Sequence, residues 1–240
     1  MLAATYLAPC NRPLYEFVAE ACGAGELVDG GDWRELELSA IDLAFVCSPP
    51  VIWLGDAVEA VAAPILSDPR FGGKPLYCSE VVVGRDSRFE SLEDLRGGRW
   101  AINEPSSWSG YWVTLSRVGS WDFFGEVVKA GFHEKALRMV ADGEIDGAAI
   151  DCQVLAVVRR QDPTLVDRLK SIEMLGPAPS QPVVVRAGLE AGVKARIRDR
   201  LLELRDPLMN EFGVEAFAPA PDYSAIAAVV KAGQATNDWR

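Results

Sequence analysis

The sequence predicts an α/β fold built on parallel sheets, and three observations carry that expectation. Apolar strand-like runs alternate with helical patterns along the chain, which is the signature of parallel sheets. The 240 residues, 49% apolar and 25% charged, suit one large domain or two small lobes with a sizeable core. Prolines and glycines gather near 72–75 and 176–182, and these mark the two expected crossings between lobes.

In chain order, "LAATYLA" reads as a short strand and "PLYEFVAEACGAG" as a helix stopped at glycine. "IDLAFVCS" is a near-continuous apolar run, as buried parallel strands are. Pro49 and Pro50 open "PPVIWLGDAVEA", read as a helix because proline is tolerated in a first helical turn. "PLYCSEVVVG" is a strand, "SLEDLRGG" a short helix capped by Ser91 with Asp94 three residues on, and "RWAIN" a strand. A helix follows over "SGYWVTLSRVG", then a short extended segment "GEVVKAGF". "HEKALRMVADG" is an amphipathic helix with Ala136, Leu137 and Val140 on one face. "DGAAID" is a strand, "CQVLAVVRRQ" a helix ended by Asp162-Pro163, "LKSIEML" and "PVVVRAG" are strands. "AGVKARIRDRLLELRD" and "YSAIAAVVKAG" are C-terminal helices.

The net charge of −11 argues against nucleic acid and anionic membrane surfaces as partners, since both want clustered Lys and Arg. No apolar stretch approaches the ~20 residues that span a membrane. Five cysteines without a CxxC, beside one histidine, argue against a zinc site. Cys47, Cys78 and Cys152 lie in or beside apolar runs and read as small buried residues, reduced thiols of a reducing compartment. "MLAATYLAPCNRP" has no basic stretch ahead of its short apolar run, so the chain as given reads as cytoplasmic, or as periplasmic if a leader was removed.

The stretch "RWAINEPSSWSGYW" is the strongest candidate site. A strand ends near Asn103 and a helix starts near Ser109, whose first-turn N–H groups have no partner inside the helix. Such groups face the carboxyl end of the sheet, where open α/β sheets bind ligands. Ser106, Ser107 and Ser109 add hydroxyl donors and Gly110 permits close backbone approach. Together they make an anion cradle without a fixed cation. The competing reading is an ordinary cap, with one serine satisfying the helix start. His133 also opens a helix, where the dipole disfavours its charged form and suits a neutral donor to a ligand oxygen, or simply a capping residue. Asp151 reads as a helix cap, as an acceptor for a ligand N–H or P–OH, or as both. Ser48, Tyr77, Ser79 and Tyr6 lie at or near strand ends, and taken singly each reads as structural.

Taken together, "DLAFVCSPPVIWL", "YCSEVVVGRDSRFESLEDLRGGRWAINEPSSWSGYW", "KAGFHEKALRMVADGEIDGAAID" and "PVVV" resemble the phosphate/phosphite/phosphonate-type substrate-binding proteins of ABC importers. The resemblance covers nearly the whole chain. It implies the type II periplasmic-binding fold: two α/β lobes, 1–78 with 180–240 and 79–179, joined by two crossing strands around a ligand cleft. It implies a non-enzymatic protein that captures a small phosphonate- or phosphate-like oxyanion, with an ABC permease as partner and with no cofactor, metal or catalytic residue. Ser106, Ser107, Ser109 and Gly110 would then hold the phosphoryl oxygens. Tyr77 and His133 would add donors, Asp151 would take a ligand amine or acidic proton, and Ser48 and Tyr6 would complete the ligand set. Two alternatives stand beside it: a cytoplasmic ligand sensor, and an enzyme of thiamin-precursor-synthase type on the same fold, which a lone histidine disfavours.

Overall fold

The computed structural model describes residues 1–38 and 40–236. The chain opens with β1 (Leu2–Thr5), whose alanines are fully buried. Helix α1 (Arg12–Ala21) buries Leu14, Tyr15, Val18 and Ala19 on one face. β2 (Glu26–Asp29) and α2 (Glu35–Leu38) lead to β3 (Ile41–Phe45), and both strands pair parallel with β1. Helix α3 (Ser48–Leu54) takes Pro49 and Pro50 in its first turn and is shorter than the sequence pattern suggests. Gly55 stops it with φ of +50°, a conformation glycine enters without strain. The residues beyond form β4 (Val58–Leu66).

β5 (Leu76–Gly84) follows, then a 3-10 turn, Leu92–Leu95, where the Asp94 carboxylate accepts from the Ser91 N–H at 3.0 Å. β6 (Arg99–Ile102) leads into a π-helical turn, Trp108–Trp112, that runs on as α4 (Val113–Val118). β7 (Glu126–Lys129), α5 (His133–Ala141), the wholly buried β8 (Gly147–Asp151) and α6 (Cys152–Gln161) come next. The chain continues through α7 (Pro163–Val166), β9 (Leu169–Pro179), β10 (Val183–Arg186), α8 (Ala191–Glu203), α9 (Pro207–Glu211), β11 (Val214–Pro219) and α10 (Ser224–Thr236).

The chain divides into two compact units. The first holds Met1–Leu76 and Pro179–Ile226; the second holds Tyr77–Ala178 and the residues from Ala227. The first carries a mixed sheet in the order β11-β4-β10-β3-β1-β2. A buried cluster that includes Ala4, Ala44, Val46, Leu54, Val58 and Val184 packs there, with the Tyr6 ring against it. The second carries the order β7-β6-β8-β5-β9, with β6 parallel to both β7 and β8 and β5 antiparallel to β8. Its core is aromatic: Trp100 stacks on Phe124 at 4.7 Å, and Trp112, Leu137 and Ile150 are fully buried. Gly233 of α10 comes so close to Trp112 that a Cβ there would sit 2.4 Å from the ring. No helix among the described residues is long and apolar enough to cross a membrane.

Candidate functional site

The parallel pair β6–β7 sets up the site in the second unit. Its register places Ile102 opposite Lys129, and the pairing continues past both strands: Ala130 N–H donates to Ile102 O at 2.7 Å and Gly131 N–H to Asn103 O at 3.0 Å. Asn103, just after β6, is thereby held beside His133, the first residue of α5.

Asn103 is the hub. Its Nδ2 donates to Ser107 Oγ at 3.0 Å and lies 3.2 Å from His133 Nε2. Ser107 is the N-cap of the following helix, with Oγ accepting from Gly110 N–H at 3.0 Å. Ser109 Oγ lies 2.9 Å from His133 Nε2 and 3.4 Å from Ser107 Oγ. Ser107, Ser109 and His133 are all buried. Gly110 serves Asn103: a Cβ there would fall 1.8 Å from Asn103 Oδ1, so the amide can occupy its place only over a glycine.

One set of directions accounts for these contacts. Ser107 Oγ receives two N–H donors, so its own hydrogen must point outward, and Ser109 Oγ is the nearest acceptor. The Asn103 NH2 group is a donor, so the His133 nitrogen it faces presents a lone pair. Ser109 can then donate to that same Nε2, sharing its one lone pair with Asn103, and the ring proton sits on Nδ1, on the side of the Ala149 backbone carbonyl. Burial pushes the His133 pKa down to about 4, with the Ala149 carbonyl acting in the opposite direction. The imidazole is therefore neutral at physiological pH. In this arrangement Nε2 accepts.

The helix itself starts irregularly. Trp112 N–H reaches back five residues to Ser107 O at 3.2 Å, which makes the first turn π-helical, a feature frequent at functional sites. Trp112 Nε1 donates to Pro105 O at 2.9 Å and pins the preceding loop. Ser106 is half-buried in that loop and takes no part in the bonds joining Asn103, Ser107, Ser109 and His133.

Asp151 ends β8, buried, and its Oδ1 accepts from Gln153 N–H at 2.7 Å and Val154 N–H at 3.4 Å. The capping half of its reading is thus realised. Ser79 stands opposite Asp151 in the β5–β8 ladder, on the same face of the sheet. Its hydroxyl is buried with no hydrogen-bond partner among the described residues. Tyr77, two residues earlier, is fully buried. Ser48 and Tyr6 belong to the first unit. Ser48 opens α3, fully buried, with a hydroxyl that has no partner among the described residues. The Tyr6 ring lies against Gly30, where a Cβ would approach to 2.0 Å. Burial first, then the charges of Glu35 and Asp32, raise the Tyr6 pKa to about 12, so the phenol keeps its proton.

Set against known proteins, the chain matches the family model of the ABC transporter phosphonate periplasmic substrate-binding protein over residues 34–224. The chain belongs to that family. The matched span contains the Asn103–Ser107–Ser109–His133 cluster. Among curated relatives, the phosphonates-binding periplasmic protein of Escherichia coli (strain K12) is 29% identical over 168 residues, 62% of this chain. The chain spans about half the length of that relative, 48%. Among solved structures, a binding protein component of an ABC phosphonate transporter from Pseudomonas aeruginosa aligns with a TM-score of 0.81 at 18% identity, over 100% of this chain and 89% of that one. PhnD1 from Prochlorococcus marinus, solved with methylphosphonate, aligns with a TM-score of 0.82 at 14% identity, over 97% of each. At these identities the likeness is one of fold, and the fold is the type II periplasmic-binding fold that the sequence implied.

Sequence reasoning did not single out Asn103 as a site residue, although it stands in the stretch that drew attention. The available signal was its position: an amide directly after a buried strand and four residues before a capping serine.

Proposed function

We propose that this member of the family is a non-enzymatic solute-binding protein that captures a small phosphonate- or phosphate-like oxyanion for an ABC permease. The observation that carries the reading is the cation-free cluster of Asn103, Ser107, Ser109 and His133. Buried hydroxyl and amide donors at a helix start suit an anion's oxygens. Ser109 can turn its hydrogen from His133 Nε2 to an arriving oxygen, since Asn103 still serves that nitrogen. Asp151, Ser79 and Tyr77 are assigned to the same ligand, with the carboxylate accepting an acidic proton or amine and opposing fully ionised anions such as sulfate. Tyr6 and Ser48 are part of the proposal through the family resemblance, as are lobes 1–78 with 180–240 and 79–179; the compact units differ from these lobes in taking Tyr77, Cys78 and the residues from Ala227 into the second unit and Pro179 into the first. With the family, we assign the protein to the periplasm; fractionation of cells making the full-length protein tests this, and a purely cytoplasmic pool overturns it.

Calorimetry against phosphate, phosphite, methylphosphonate, 2-aminoethylphosphonate and sulfate tests the ligand class. Saturable binding of at least one phosphorus oxyanion, with sulfate excluded and the ligand recovered unchanged, is expected. A folded protein that binds none of them overturns the reading. Chemical conversion of the bound compound, lost in His133→Ala while binding survives, would favour the enzyme alternative instead.

A further inference from the structure

Two of the five cysteines are neighbours across the β5–β8 pair. Ser79 and Asp151 are the last facing pair of the β5–β8 ladder; Cys78 lies beside Ser79 in β5 and Cys152, the first residue of α6, directly follows Asp151, although 74 residues separate the two cysteines. The Cys78 N–H approaches Cys152 Sγ at 3.5 Å, and the two thiols hydrogen-bond to each other. Both are buried, and both are free thiols in this structure.

We propose that Cys78 and Cys152 form a disulfide as the chain folds in an oxidising medium. The chemistry is thiol–disulfide exchange with a small-molecule disulfide such as oxidised glutathione. The Cys152 thiolate attacks it, forming a mixed disulfide and releasing one glutathione thiolate. The Cys78 thiolate then attacks Cys152 Sγ and releases the second. Two protein thiols lose two electrons and two protons, and the oxidant takes them up. In the folded dithiol, contact with Cys78 and then burial hold Cys152 protonated far above the usual thiol range, so closure belongs to folding, before the pair is enclosed. This revises the expectation of reduced thiols: the family is periplasmic, and that compartment favours disulfides. The bridge would tie β5, between Tyr77 and Ser79, to the first residue of α6, next to Asp151.

The test reduces and unfolds the full chain, refolds it in excess oxidised over reduced glutathione, then alkylates residual thiols under denaturing conditions. The expected product carries three alkylated cysteines, has lost two hydrogens, and yields one linked peptide pair containing Cys78 and Cys152. Five alkylated cysteines, or a bridge drawn from Cys10, Cys22 or Cys47, overturns the proposal. Cys78→Ala and Cys152→Ala should each retain four alkylatable thiols, and a bridge persisting in either variant overturns it equally.

Discussion

The helix that begins at Trp108 and the helix α6 each start within a few residues of a buried strand of the second sheet, yet their first turns are built differently. At α6 the Asp151 carboxylate accepts from Gln153 and Val154 N–H groups and a regular helix follows. At Trp108 the cap is a hydroxyl, the turn is π-helical, and the capping atom also takes a hydrogen from Asn103. A carboxylate only accepts, so it ends a chain of bonds. A hydroxyl that accepts must also donate, so it passes the chain onward, here to Ser109 and then His133. The difference separates a cap whose bonds to N–H groups end on the carboxylate from a cap whose bonds run on through a cluster of polar side chains.

Removing both hydroxyls should separate the two roles most sharply. Ser107→Ala with Ser109→Ala deletes two donors, each worth roughly 1.5–3 kcal/mol toward a charged ligand. Affinity measured by calorimetry should fall by a few kcal/mol. Stability measured by urea unfolding should fall by about 1 kcal/mol, the value of one lost cap. Asp151→Ala should lose at least as much stability as that pair, because its carboxylate serves two N–H groups. If the serine variant loses stability and keeps affinity, the Trp108 turn is only a cap.

The His133 prediction concerns pH. Its pKa falls from the ordinary histidine value of 6.5 to about 4 on folding, so between these values the unfolded chain binds more protons than the folded one. Stability therefore falls as pH drops from about 6.5 toward 4, by about 3 kcal/mol in all, and is flat in this respect above that window. The carboxylates whose pKa values are lowered, such as Asp68 and Asp146, act below their ordinary range, so the upper part of the window belongs to the imidazole. His133→Gln should flatten the slope between pH 6.5 and 4.5; an unchanged slope would show that the ring is not the group responsible. Gly110→Ala tests the hub with a smaller effect. The new Cβ would meet Asn103 Oδ1 at 1.8 Å, and overpacking of this kind costs about 1–3 kcal/mol. Displacing the amide should also weaken ligand binding, whereas Gly55→Ala, with nothing near its Cβ but φ of +50°, should cost stability alone.

How far the sequence carried follows from which signals are local. Helix α5 was legible because Ala136, Leu137 and Val140 repeat with the helical period and are all buried. β8 was legible because a short apolar run is what a strand covered on both faces looks like. β4 was hidden: Val58, Val61 and Ala62 share helical spacing with the preceding "WLGDA", and only the antiparallel neighbours β10 and β11, supplied from more than a hundred residues away, make the segment a strand. β2 and β11 are edge strands; β2 has no fully buried residue to create a pattern, and β11 ends in a proline that an edge tolerates. Ser107, Ser109 and His133 were legible as polar residues at helix starts. Asn103 was not, because its role arises from the β6–β7 register that brings it to His133, 30 residues on.

The smallest expected effect lies at Ser106, and it bears on whether this stretch is a diffuse hydroxyl-rich cradle or a specific network. The sequence groups Ser106 with Ser107 and Ser109, whereas the structure leaves it outside their hydrogen bonds, half-buried in the loop pinned by Trp112. If the network is what binds, Ser106→Ala should change stability by no more than about 0.5 kcal/mol and affinity by less than about threefold, well under the value of one charge-assisted bond. A loss matching that of Ser109→Ala in the same titration would place Ser106 on the ligand. The loop would then have to rearrange on binding, and the contrast with the fixed cap at Asp151 would be one of motion as well as of hydrogen bonding.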